Sequence, residues 1–209
     1  MVVSRLVRSD RGSTAAEFAL TLPLVLLLLF GIIDAGRLAW EFNRAEKATQ
    51  VGARVAVVTS TFPTGLVAES YLNKTVGGVT LTQGDRIPAA ALGDIKCTEA
   101  SGCSCASPPC PTTIGNLDDS TAGAFKSVVL PRMQSMNPRI QSSNVEIHYS
   151  GSGLGYAGDP NGMQIAPIVT VTVTQMTYRP ITALLFANFT LPDFSTSLTA
   201  EDASGTQSN

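Results

Sequence analysis

The chain has 209 residues, of which 14% are charged and 44% apolar, and its net charge is −2. That balance excludes a basic nucleic-acid-binding surface and a disordered, charge-rich chain. The length leaves room for one domain, or one domain and a tail.

Arg5, Arg8 and Arg11, with Asp10, precede an uncharged apolar run from Phe18 to Ile33. As a helix this run measures about 24 Å at ~1.5 Å per residue, short of a hydrocarbon core of roughly 30 Å. Adding Ala15 and Ala16 brings it to membrane length and draws in Glu17. The arginines place the N-terminus in the cytoplasm and everything after Asp34 outside. A cleaved secretory signal fits poorly, because a cut after Ala35 would leave Ile33 at the −3 position.

The helical pattern continues past the apolar run. No proline occurs between Asp34 and Val58, and Ala35, Leu38, Ala39, Phe42, Ala45, Gly52 and Ala56 recur at helical spacing. Asp34, Arg37, Glu41 and Arg44 stand three or four apart, so they can pair along the flank. Ala48, Gly52 and Ala56 form a small-residue row for close packing. One helix from about Ser13 to Val58 is therefore expected, kinked at Pro23 and ended near Pro63. Leu66 to Val76 reads as a short amphipathic helix closed by Gly77-Gly78.

Residues 79 to 120 read as a Gly-, Pro-, Ser- and Thr-rich loop that holds all four cysteines. Such a loop needs a staple, and an exported chain meets an oxidising compartment, so Cys97, Cys103, Cys105 and Cys110 are expected in two disulfides. Strain disfavours 103–105 with 97–110, which leaves two pairings open. Gaps of five, one and four residues, with the single histidine His148 far away, argue against zinc. A helix is expected from about Thr121 to Met136, broken or shifted by Pro131, with Asp118-Asp119 as a cap.

The last third alternates with period two. Asn144 to Tyr149, Ile168 to Thr174 and Phe194 to Thr199 read as three antiparallel strands, the second with valine on one face and threonine on the other. Ser150 to Pro167 is the loop between the first two. Within it, Gly151-Ser152-Gly153-Leu154-Gly155 lacks the Lys-Ser/Thr of a phosphate loop. Asp159-Pro160-Asn161-Gly162 fits a β-turn better than a calcium site. Glu201 to Asn209 reads as a polar tail. The fold class is α+β, a long N-terminal helix against a small antiparallel sheet. No catalytic residue, cofactor site or metal site is expected.

Glu17 needs a partner, because a carboxylate in mid-membrane costs on the order of 2.5–3.5 kcal/mol. One reading has it snorkel to the headgroups and cap the helix start. In the other, the chain is cut before Ser13, and Glu17 meets the free α-amine of a neighbouring subunit. Removing one member of such a buried pair costs about 3–5 kcal/mol.

Arg11-Gly12, Glu17-Phe18-Ala19-Leu20, Leu22-Pro23, the Gly31–Arg37 stretch GIIDAGR and Gly52-Ala53-Arg54 stand in register over residues 11 to 57. This segment resembles the TadE-like family of minor pseudopilins from tight-adherence (Flp) pilus systems. Val171 to Pro180, a strand followed by Tyr-x-Pro, is similar to the family's C-terminal part. The resemblance implies that a prepilin peptidase cuts between Gly12 and Ser13. It thus implies a leader at 1–12, a membrane segment at 13–36 and a pilin-like periplasmic or extracellular domain at 37–209. It further implies residence in the bacterial inner membrane, with other pilins or pseudopilins and the Tad secretion platform as partners. Glu17 and Pro23 would serve assembly. Loss of the leader, with three arginines and one aspartate, would lower the net charge by two to −4. Two other roles stay open: a permanently anchored component outside the fibre, and an adhesin-like module using the cysteine loop.

Overall fold

A computed structural model describes residues 13–115, 124–160, 162–184 and 187–200. The leader with Gly12, Asp118-Asp119, Asn161 of the β-turn and the 201–209 tail lie outside the described residues. The chain divides into two compact units. Helix α1, Ser13–Val58, contributes its first part to one and its second part to the other.

The first unit comprises residues to Phe42 together with Thr177–Phe189. Here α1 runs through Pro23 without interruption. Its side chains from Thr14 to Ile33 are exposed all round, including Leu20 at 77% and Leu24 at 72%. An apolar surface with no side turned inward is the kind a helix able to cross a bilayer presents. Around it the C-terminal segment supplies the short strand β7 (Thr177–Tyr178), a 3-10 turn at Ile181–Leu184 and the start of the short strand β8 (Phe189–Thr190).

The second unit comprises Asn43–Met176 and the chain from Thr190. Its core is a five-stranded antiparallel sheet of β3 (Asp94–Thr98), β4 (Gly102–Ser107), β5 (Val145–Ser150), β6 (Ile168–Val173) and β9 (Phe194–Thr199), in the order β4-β3-β5-β6-β9. The strand at 168 follows the expected alternation: Val169, Val171 and Val173 are buried, whereas Ile168, Thr170 and Thr172 are half-buried. Ile95, Cys97, Val145, Ile147 and Tyr149 continue the inner face.

Within this unit α1 turns from apolar all round to striped. Ala45, Ala48, Thr49, Gly52, Ala53 and Ala56 are buried, and Glu46, Lys47, Gln50 and Arg54 are exposed. The Thr49 hydroxyl meets that of Thr196 in β9 at 2.9 Å. Gly52 is needed for its size: an added Cβ would lie 2.7 Å from the Met133 sulfur. Arg44 Nε donates to the Met136 carbonyl at 2.9 Å.

Two expectations are corrected. The stretch from Leu66 to Val76 is not one helix. A single turn, α2 (Thr64–Ala68), is followed by a hairpin of β1 (Thr75–Val76) and β2 (Val79–Thr80). Gly77 and Gly78 take φ of 58° and 84°, the double left-handed turn that joins two strands rather than closing a helix. The cysteine region is not only loop, because β3 and β4 are built from it and enlarge the sheet from three strands to five. Asp-Ile-Lys-Cys-Thr alternates half-buried and buried, a signal hidden by the surrounding Gly, Pro and Ser.

The helix expected from about Thr121 to Met136 is present from residue 124, residues 121–123 lying outside the described ones, and its winding changes at Pro131 as anticipated. The α-helical turns, α3, span Leu130–Met136, after a π-helical turn at Phe125–Val129. Leu130 N–H donates to the Phe125 carbonyl. Pro131 has no N–H to offer the carbonyl four residues back, so the ladder widens just before it.

Candidate functional site

The chemistry proposed from the sequence lies along the first part of α1. Ser13 is the first residue of the helix, Glu17 is exposed near its start, and Pro23 lies one to two turns further on. Thr21 donates its hydroxyl back to the Glu17 carbonyl at 3.0 Å, so its polar group is satisfied within the helix itself. The window around this run has a mean hydropathy of 2.4 and no buried part. One helix here is thus long and apolar enough to cross a bilayer.

At the end of that run the structure shows a junction that sequence reasoning did not assemble. Asp34 is only 8% exposed. Its Oδ1 accepts from Ile181 N–H at 2.7 Å. Its Oδ2 accepts from Thr182 N–H at 2.9 Å and from the Thr182 hydroxyl at 2.8 Å. The Tyr178 hydroxyl donates to the Asp34 main-chain carbonyl at 2.9 Å. Arg37 Nη1 stands 3.4 Å from Oδ1, and its guanidinium lies 5.9 Å from the centre of the Tyr178 ring.

The local sequence explains why these donors are available. Pro180 ends the strand pairing after Tyr178, and the 3-10 turn from Ile181 leaves its first N–H groups without a partner inside the turn. A carboxylate is the acceptor best matched to them. Burial pushes the Tyr178 phenol above its ordinary range, against the Arg37 charge, and the Asp34 and Glu41 carboxylates push the same way. The ring therefore stays a proton donor at any physiological pH. Charge pairing of Asp34 with Arg37 was legible from their spacing. The bonds to residues 178–182, 144 or more positions away, were not. The available signal was that GIID and Tyr-x-Pro belong to one resemblance.

The four cysteines form Cys97–Cys103 and Cys105–Cys110. Cys97 and Cys103 face each other in the β3–β4 register, so the first bridge closes a hairpin. The second joins the β4 edge to the chain just beyond it. His148 Nδ1 stands 2.9 Å from Asp94 Oδ2 on the sheet, at hydrogen-bonding distance. No group of three His, Cys, Asp or Glu side chains able to hold a metal occurs among the described residues.

These features define an α+β chain with an apolar N-terminal helix fit for a bilayer and a disulfide-bearing sheet unit. Residues 12–54 match the family model described as TadE-like protein, in the segment that carries the sequence resemblance. No curated protein and no solved structure matches it.

Proposed function

We propose that this chain is a minor pseudopilin, cut between Gly12 and Ser13 by a prepilin peptidase and taking part in assembly of a Tad (Flp) pilus that serves adhesion and surface colonisation. The observation that carries the reading is the exposed apolar run of α1, with Glu17 at its entry, inside the segment that matches the TadE-like model. In this reading the chain enters the inner membrane with its N-terminus in the cytoplasm, because the arginines precede the run. The sheet unit lies on the periplasmic side.

Other pilins or pseudopilins then take the place of lipid around α1. Glu17 sets axial register by meeting the Ser13 α-amine of a neighbour, and Pro23 gives the helix a point at which to bend. The role is structural rather than catalytic.

The test is the intact mass and N-terminal residue of the membrane-bound protein, with and without a prepilin peptidase. A start at Ser13 that depends on the peptidase is expected. A start at Met1 in both conditions sinks the filament reading and leaves a permanently anchored periplasmic component of the pilus machinery.

A further inference from the structure

The Asp34 junction holds an apolar surface of its own. Ala35 and Leu38 of α1, with Tyr178, Pro180, Ala187 and Phe189 of the C-terminal segment, line a cleft of about 410 Å³ whose remaining walls are Asp34 and Thr182. Both polar residues already bond to each other, so the cleft offers a ligand almost no hydrogen bonding. Around it Ile181 is 50% exposed and Phe189 43%. The chain carries no charged residue from Pro180 to Pro192. Exposed apolar surface of this kind marks an interaction site.

We infer that Tyr178–Thr182, together with Ala187–Phe189, is a second membrane-contacting element, lying in the interfacial layer of the bilayer beside the exit of α1. The inference rests on the reading of α1 as a membrane helix. Height decides it. Asp34 follows Ile33, the last residue of the exposed apolar run, and Ile181 N–H is 2.7 Å from its carboxylate. If the run is in lipid, Ile181 is at the level where hydrocarbon gives way to headgroups. The surface is then continuous with the lipid-facing side of α1, and an occupant of the same chemistry covers both.

The composition fits that layer. Tyr178 pairs an apolar ring with a satisfied hydroxyl, as interfacial aromatics do. The Arg37 side chain is 47% exposed beside it, and Arg179 follows in sequence. Both suit anionic headgroups. A short apolar turn whose first N–H groups and Thr182 hydroxyl are taken up by Asp34 is a form of backbone that can enter this region.

The experiment places an environment-sensitive fluorophore on single introduced cysteines of the full chain in phosphatidylethanolamine–phosphatidylglycerol vesicles. The positions are Ile181→Cys, Phe189→Cys, Leu24→Cys within the apolar run, and Val79→Cys as an aqueous reference. The native cysteines are bridged and do not label. The inference predicts that labels at 181 and 189 emit to the blue of the label at 79. They are also quenched severalfold more strongly by lipids carrying a shallow nitroxide, and less by iodide.

A lipid signal at 24 with aqueous behaviour at 181 and 189 overturns the inference and leaves the membrane reading of α1 intact. Shielding of 181 and 189 from both quenchers means that protein covers the surface, which also overturns it. Aqueous behaviour at 24 overturns the inference and the membrane reading together.

Discussion

In the first unit α1 turns the leucines, isoleucines, Val25, Phe18 and Phe30 of its apolar run outward. In the second the same helix buries alanines, glycine and one threonine within a sheet-bearing core. The outward part has large side chains and no intramolecular partner surface for them, so its apolar area remains available to a bilayer or to other helices. The inward part has small side chains because neighbouring elements of the same chain press on it, as Met133 does on Gly52. Residue size along one helix thus records whether the partner is inside the molecule or outside it.

The comparison breaks most visibly at Glu17. Glu17→Ala should leave insertion of α1 unchanged and reduce incorporation into sheared pili by a hundredfold or more, the scale of about 3–5 kcal/mol for one half of a buried pair. Quantifying the protein in sheared-fibre and membrane fractions checks this, and wild-type fibre incorporation would remove Glu17 from the mechanism.

Truncations sharpen the contrast next. Ile147→Ala in the buried sheet should lower unfolding stability by about 2–5 kcal/mol. Leu28→Ala, equally apolar but 66% exposed, should leave denaturation of the sheet unit within about 0.5 kcal/mol of wild type. Denaturant unfolding in detergent, followed by tyrosine fluorescence or circular dichroism, compares the two.

The smallest effect is electrostatic and confined to the second unit. Hydrogen bonds from Thr82 N–H and hydroxyl, each 2.7 Å, hold the Asp85 carboxyl below its ordinary value. A carboxylate whose folded pKa is depressed stabilises the fold above its unfolded value of about 3.9 and loses that contribution as pH falls further. Asp85→Asn should therefore make the decline of Tm below pH 4 shallower than that of the wild type, the rest of the decline coming from other carboxyls held low, such as Glu99. Parallel Tm curves for the two proteins would contradict this.

How much could be read in advance follows the same division. The helix boundaries at Ser13 and Val58 were legible because apolar periodicity ran unbroken to a Pro-containing stretch. Residues 168–173 and 194–199 were legible because period-two alternation is a local signal. Cys97 and Cys103 misled because loop composition outweighed a five-residue alternation. Thr75 to Thr80 misled because Gly-Gly closes helices as well as hairpins. The bonds of Asp34 were unreadable for a different reason: they join positions far apart, and nothing local distinguishes a carboxylate that caps a distant turn from one that faces water.

The order β4-β3-β5-β6-β9 leaves the final strand in chain order at the sheet margin, covering the valine-rich β6. A nascent chain that stops before Phe194 would present Ile168 to Val173 as an open margin, with every second amide and carbonyl seeking a partner. Another polypeptide could then add its own strand there. Closure by β9 consequently waits on the last part of translation: only a chain extended through Thr199 can pair the full length of β6.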